Sequence, residues 1–455
     1  MSLSHSDLAD RIGGAVLTPD EDGWDAELAP FNAIGVHRPA LVVAVENADD
    51  VREAVRYAAR HRLPVAVQAT GHGVAATADG GMLISTRRMN AVAVDPVAHV
   101  ARAEAGTRWH QVIEAAARHG LAPLNGSSPL VGVVGYTLGG GLGPLARRYG
   151  YAADRVTRIH VVTAEGEPRT ATRHQNSDLF WALRGGKGNF GVVTAIEFGL
   201  VPVTTLYGGG LFFAADAARP VLDAWRHWTT DLPEELTSSL ALLRLPDAPS
   251  VPEPLRGRLT VHIRIAFLGS SEHGEKLLAP LRAVAPTVLD TVREMPYTAV
   301  SEIHMDPVDP FSYHERSILL RALDEAAVQR LLEVAGPGTG CPAFMVELRH
   351  LGGAVGRPSP VPNAVGNRDA AFTLTTVSPP AGPSDPVKAV LSALEPWGTG
   401  RSYVNFLAGP DEAGDVRRLY EPETYERLTR IKQRYDPDNR FRFTHNIVPG
   451  CADSV

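Results

Sequence analysis

Cysteine is almost missing from this chain: Cys341 and Cys451 are the only two in 455 residues. Two thiols so far apart exclude a disulfide-stapled scaffold and a zinc ribbon, and no other metal-ligand cluster is visible. Positive charge is also in deficit, with 44 Lys and Arg against 51 Asp and Glu and a net charge of −7. That argues against a nucleic-acid partner, which needs a basic face. Lysine is scarce within the basic set: Lys187, Lys276, Lys388 and Lys432. No apolar run approaches the ~18 residues that a membrane span needs. The first residues, MSLSHSDLADRIGG, show neither a basic start nor an apolar stretch, so no export signal is expected. The expectation is a cytoplasmic protein with no membrane partner.

What is present suits a folded protein. With 44% hydrophobic and 21% charged residues the chain can bury a large core. Its length predicts two or three domains. Short apolar segments at 40–45 and 64–67 flank a helix that starts at Asn47 and carries Val51, Val55 and Ala58 at helical spacing, a β-α-β unit. Further strands are expected at 82–85, 91–94, 100–104 and 192–198. Thr107 is expected to cap a second helix through Trp109, Val112, Ile113 and Ala116, stopped by Gly120. Segments 159–163 and 169–172 read as a hairpin. From about Pro202, strands at 207–213, 258–267, 343–347 and 371–377 alternate with helices near 217–228 and 324–334, an α+β domain with a mainly antiparallel sheet. The Pro/Ser-rich stretch 379–386 reads as a surface loop, and 420–434 as a charged amphipathic helix ended by Asp436-Pro437.

Three glycine-bearing stretches stand out. QATGHGV, Gln68 to Val74, follows a strand, and Gly71 and Gly73 flank His72. Such a turn can present N–H groups to an anion such as a pyrophosphate; the plainer alternative is a β-turn with a surface histidine. SSPLVGVVGYTLGGGLG, Ser127 to Gly143, holds six glycines among apolar residues and suits a backbone lying against a flat or phosphorylated ligand, or a tight turn between packed elements. In LFWALRGGKGNFGVVTAIEF, Leu179 to Phe198, Lys187 is followed by Gly188, so a Walker loop fails. A GxGxxG opening a helix fails as well, because this run opens a strand.

The ordered set of GH at 71–72, VGVVGYTLGGGLG at 131–143, DLFWALRGGKGNFGVVT at 178–194, YVNF at 403–406 and YERLTRIKQRYDPDNRFR at 425–442 resembles the berberine bridge enzyme-like FAD-linked oxidases. In length and arrangement the chain is similar to the bacterial branch that includes 6-hydroxy-D-nicotine oxidase. The resemblance implies an α+β fold: a two-part FAD-binding domain of the p-cresol methylhydroxylase/vanillyl-alcohol oxidase type, residues 1–204 (core 36–204) with a returning segment 395–455, and a substrate domain 205–394.

It also implies site residues. His72 stands where the family histidine bonds covalently to FAD, and Ala69, Thr70, Gly71 and Gly73 would hold the pyrophosphate. Val131, Gly132, Gly135, Gly139, Gly140, Gly141, Gly143, Gly188, Asn189, Gly191, Val192 and Val193 would line the isoalloxazine and adenosine parts. Tyr136, Asn405 and Asn446 complete the set. Ser128 occupies the position of the second attachment cysteine of many members, so a single bond through His72 is expected. Val131 matches the residue that admits dioxygen in family oxidases. Val74 replaces a tyrosine of the plant enzymes, and Phe406 replaces the tyrosine from which several members take their general base. A phenyl ring accepts no proton, so the base must come from elsewhere.

Tyr403, Tyr313 and His314 are the catalytic candidates, with Tyr403 catalytic or structural and Tyr313-His314 expected in a cleft-facing loop after Pro307 and Pro310. His304 and His350 are alternatives for which packing is the commoner role. Glu347 and Arg349 alternate on a strand, share a face and read as a structural ion pair. The implied activity is an oxidase that passes a hydride from a small alcohol, amine or reactive C–H compound to flavin, reoxidised by dioxygen with release of hydrogen peroxide. A flavin-containing cyclase or lyase without net redox turnover is the alternative, and a flavin-binding protein without catalysis a third reading.

Overall fold

The computed structural model describes residues 5–380, 385–409 and 414–450. Three sheets follow one another along the chain. The first contains Ala15–Leu17, Leu41–Ala44, Val65–Gln68 and Met82–Ser85. Met82–Ser85 lies between Leu41–Ala44 and Val65–Gln68 and is parallel to both, so the expected β-α-β unit exists with a third strand inserted at its centre. Its helix, Ala48–Arg60, begins where Asn47 accepts hydrogen bonds from the N–H groups of Asp49 and Asp50. Val51, Ala54, Val55 and Ala58 are buried on its inner face.

The second sheet is antiparallel, in the order Val92–Asp95, Val100–Glu104, Val192–Gly199, Val156–Val162, Pro168–Ala171. Helix Trp109–Ala117 packs Trp109, Val112, Ile113 and Ala116 into its core. The cap of this helix is Arg108, whose N–H donates to Gln111 Oε1 at 2.8 Å. Thr107 is fully buried and its hydroxyl donates to Ala91 O instead, so the expected Thr107 cap is corrected by one residue.

The third sheet has eight antiparallel strands between Thr205 and Ser378. Four of them, Leu236–Arg244, Thr287–Asp290, Arg293–Pro296 and His314–Leu320, were not anticipated. Alternation gives the sheet two unlike faces. Leu240, Leu242, Ile263, Ile265, Ile318, Leu348 and Leu374 pack against helices Ala218–Trp228, Ser271–Arg282, Glu325–Ala335 and Pro386–Leu394. The opposite face carries Ser239, Arg264, Glu347, Arg349 and Thr375, brought together by the register Ser239↔Arg264, Ser239↔Arg349 and Glu347↔Thr375. Half of the 379–386 stretch, residues 381–384, lies outside the described residues. Asp385 caps the helix that follows through Val387 N–H.

The chain then returns to the first two sheets. Helix Pro422–Tyr435 contributes Leu428 and Ile431 to the core of the second sheet. Lys432 is completely buried: Nζ pairs with Asp436 at 2.6 Å and donates to Asn189 O at 2.8 Å. That network clamps the tail onto the turn at 185–191.

Candidate active site

Between the first two sheets and the polar face of the third lies a cavity of about 1470 Å³. On one side it is lined by the 65–76 segment, Gly126–Ser128, Val131, Gly132, Val134–Tyr136, Lys187, Gly188, Gly191, Val193 and, from the returning tail, Phe441 and Phe443–His445. On the other it is lined by Arg264, His304, Asp306, Tyr313, Glu315, Glu347 and Arg349, with aromatic surface from Phe31, Phe311, Phe344 and Phe406.

The loop bearing His72 is held by backbone pairing. Phe31 N–H donates to Thr70 O and Asn32 N–H to Gly71 O. Gly71 has φ +68°, and a Cβ there would meet Pro30 at 2.4 Å, so this glycine is required by both conformation and space. Gly73 has open space around it. The His72 ring stacks on Phe31 at 4.0 Å with planes 10° apart. Its Nδ1 is hydrogen-bonded to Thr70 Oγ1 at 2.9 Å, and its Nε2 is buried without a partner among the described residues. Burial, reinforced by the Arg108 charge, pushes the imidazole down to about 3, so it is neutral at any ordinary pH. Tyr313 OH donates to His72 O at 3.0 Å, tying the substrate side to the loop.

Ala69, Thr70, Gly71, His72, Gly73, Ser128, Val131, Gly132, Gly135, Tyr136, Gly188, Gly191, Val193 and Asn405 all border the cavity, as does Tyr313. The remaining expected site residues do not. Gly139, Gly140, Gly141 and Gly143 stand behind the wall, where Cβ atoms would strike Asn405, Tyr403, Tyr136 and Asn125 O respectively. Their role is to let those groups approach. Asn189 is buried as a structural tie, donating to Gly186 O and His445 O while accepting from Ile447 N–H. Val192 is core packing of the first sheet. Asn446 lies beside the lining residues Thr444 and His445 without joining them. Tyr403 packs among Tyr151 and Phe406, and burial raises its phenol well above the ordinary range. His314 is buried at the head of a strand rather than in a cleft-facing loop, and the alternation of that strand gives the cavity Glu315 instead. Of the alternatives, His304 borders the cavity and His350 packs on Phe372.

Several lining groups were missed. Lys187, considered only as a failed phosphate loop, has φ +58° and donates to Asn405 Oδ1 at 2.5 Å and Gly135 O at 3.3 Å. Burial lowers it to about 8, an effect partly offset by Glu315. Arg264 Nη1 lies 2.5 Å from Glu347 Oε1, Arg349 Nη2 2.9 Å from Glu347 Oε2, and Ser239 Oγ donates to Glu347 at 2.6 Å. Burial alone would raise the Glu347 carboxyl, yet the two guanidiniums hold it well below the carboxylate range. The expected Glu347–Arg349 ion pair is present, and it faces the cavity. Burial raises Glu315 to about 8.

Two family models match: an FAD binding domain over residues 39–172, and a berberine and berberine-like domain over residues 402–448. The (R)-6-hydroxynicotine oxidase of Paenarthrobacter nicotinovorans is 30% identical, over 96% of this chain and 97% of its own length. An FAD-linked oxidoreductase of Bacillus subtilis is 26% identical over 96% and 98%. Among solved structures, 6-hydroxy-D-nicotine oxidase from Arthrobacter nicotinovorans superposes with a TM-score of 0.80 at 26% identity, over 96% and 98% of the two chains. The xylooligosaccharide oxidase of Myceliophthora thermophila shares the fold, with a TM-score of 0.83 at 22% identity, over 98% and 99%.

The residues present fit an FAD. A long cavity is bordered by close-approaching backbone at 69–73 and 132–135, and the orphaned Nε2 of His72 stands on its wall. Fold, cavity and relatives agree: the chain belongs to the berberine bridge enzyme-like FAD-linked oxidoreductases, and it is an FAD-dependent oxidoreductase.

Proposed function

We propose that this protein is an oxidase that carries FAD on a single covalent bond to His72 and oxidises a small organic substrate in the cavity beneath the third sheet. The observation that carries the reading is His72. Its ring is neutral, fixed by Phe31 and Thr70, and its Nε2 is unpartnered on the cavity wall. With Nδ1–H donating to Thr70 Oγ1, Nε2 keeps the lone pair a nucleophile needs. Ser128 borders the same cavity, but an unactivated hydroxyl is a far poorer nucleophile than a thiolate. Cys341 lies in the core of the third sheet, so it supplies no second bond.

The bound flavin would supply hydride acceptance and reactivity with dioxygen. The chain's own groups bind and orient. Backbone at 69–73 and 132–135 faces the cofactor, Lys187 brings a cation to the same wall, and the aromatic residues exclude water from the substrate side. Val131 stands on the cavity wall, and in this reading it is the residue that admits dioxygen. Domain boundaries near 204 and 395 follow from the same reading. Mixing the photoreduced protein with aerated buffer tests the oxidase reading: fast reoxidation with one peroxide per flavin is expected. Sluggish reoxidation would overturn it, and turnover without peroxide would favour the cyclase or lyase alternative.

A further inference from the structure

A second cavity, of about 320 Å³, lies apart from the large one, on the helix-covered side of the third sheet. It opens beside the C-terminal end of helix Ala218–Trp228, next to the ends of strands Met345–His350 and Phe372–Ser378. Alternation places His350 on the face opposite to Glu347 and Arg349, so this site and the large cavity use two sides of one strand. The polar lining is Arg226, His227, Thr229, Thr230 and His350, and no carboxylate borders the space.

Two of these side chains have unused hydrogen-bonding capacity. Arg226 Nε and His350 Nδ1 are buried and, among the described residues, have no partner. Arg226 Nη2 reaches Asp223 at 3.5 Å, but that carboxylate is held more closely by Arg219, at 2.6 Å. Asp324, which also feels the Arg226 charge, is spent in capping the following helix through Ala327 N–H at 2.8 Å. Burial and the Arg147 charge push the His350 imidazole down to about 3, and a neutral ring can carry its proton on Nδ1. The carbonyls at the end of a helix would repel an anion, yet here they are occupied. Asp223 O accepts from His227 Nδ1 at 2.7 Å, and Arg226 O from the Thr229 hydroxyl at 2.8 Å. What is left to the cavity is a set of donors around one cation.

We propose that this cavity is a second binding site and that it takes a phosphate group, on the Arg226 guanidinium and the His350 N–H. A tetrahedral phosphate offers acceptor oxygens in several directions, so donors from a helix and from a strand can engage it together. A carboxylate has one plane and two oxygens, and the guanidinium alone would satisfy it. Phe372 and Leu323 give the cavity an apolar side, against which the carbon part of a phosphate monoester can lie. The site does not depend on the flavin reading.

The test titrates inorganic phosphate, phenyl phosphate and acetate into the flavin-loaded protein by calorimetry, near neutral pH and at constant ionic strength. One site per chain with a Kd below about 1 mM is expected for at least one phosphate probe, with acetate weaker. Tighter phenyl phosphate would assign the site to a phosphorylated metabolite, and tighter inorganic phosphate to the free ion. Arg226→Gln and His350→Phe, each accepted only if it retains flavin, should weaken the better probe by at least about tenfold. The two variants are read separately, so either one that folds localises the site. A Kd above 1 mM for both phosphates, acetate binding as tightly, or a smaller loss in a folded variant would overturn the proposal. None of these readings uses turnover, so their failure leaves the oxidase reading standing, and a failed oxidase reading leaves this site standing.

Discussion

On the wall built by residues 65–76 and 126–136, Gly71, Gly73, Gly126, Gly132 and Gly135 border the cavity, so main chain can approach it between side chains such as His72 and Val131. On the opposite wall the main chain is used up in ladder hydrogen bonds, and alternate side chains of the third sheet do the facing: Arg264, Glu315, Glu347 and Arg349. The first wall is suited to a cofactor whose phosphates and flat ring want N–H groups and close approach. The second is suited to a substrate that must be recognised by charge and shape. The difference teaches where this scaffold can vary, because a side chain on a regular sheet can change without disturbing the ladder.

The comparison makes its sharpest demand on Glu347. Glu347→Ala would leave Arg264 and Arg349 buried without their shared carboxylate, and a loss of about 3–5 kcal/mol in denaturant unfolding is expected. A second expectation is acid sensitivity on both walls. Burial holds His262 and His304 far below 6.5 and His445 at about 3. Each binds fewer protons folded than unfolded, so its contribution is intact above pH 6.5 and is lost as pH falls toward the folded value. The loss sets in as pH falls below 6.5 and is measurable as a falling midpoint in urea. The glycine wall is tested by a pair. Gly143→Ala drives a Cβ to 1.8 Å from Asn125 O and should cost about 1–3 kcal/mol, while Gly73→Ala meets open space and should stay within about 0.5 kcal/mol. The smallest effect is expected for Phe406→Tyr. A phenol at 406 should leave steady-state turnover unchanged or lower it by crowding Arg349, whose guanidinium lies 5.0 Å from that ring.

The two walls were not equally legible in the sequence. Gln68–Val74 and Ser127–Gly143 are contiguous, so their glycine spacing could be read directly, and His72 with them. What the spacing hid was depth. Gly139 to Gly143 look like cofactor-facing glycines but serve packing by Tyr136 of the same stretch and by Asn405 and Tyr403, which arrive from elsewhere in the chain. The substrate wall is assembled from strands far apart in sequence, and no local pattern announces their register. Two prolines, Pro307 and Pro310, made Tyr313-His314 look like a loop; the strand starts at His314, and a shift of one residue exchanges His314 for Glu315 at the cavity. The segment reads HERSILL, four polar residues and then three apolar ones, so no alternation announced that strand.

The direct test of the central claim is the bond at His72. Wild-type protein precipitated in acid should give a yellow pellet, and digestion should yield one peptide containing His72 heavier by a single FAD. His72→Ala should release all its flavin to the supernatant while still binding it before denaturation. A colourless wild-type pellet, or an FAD adduct on any peptide lacking His72, would contradict the account.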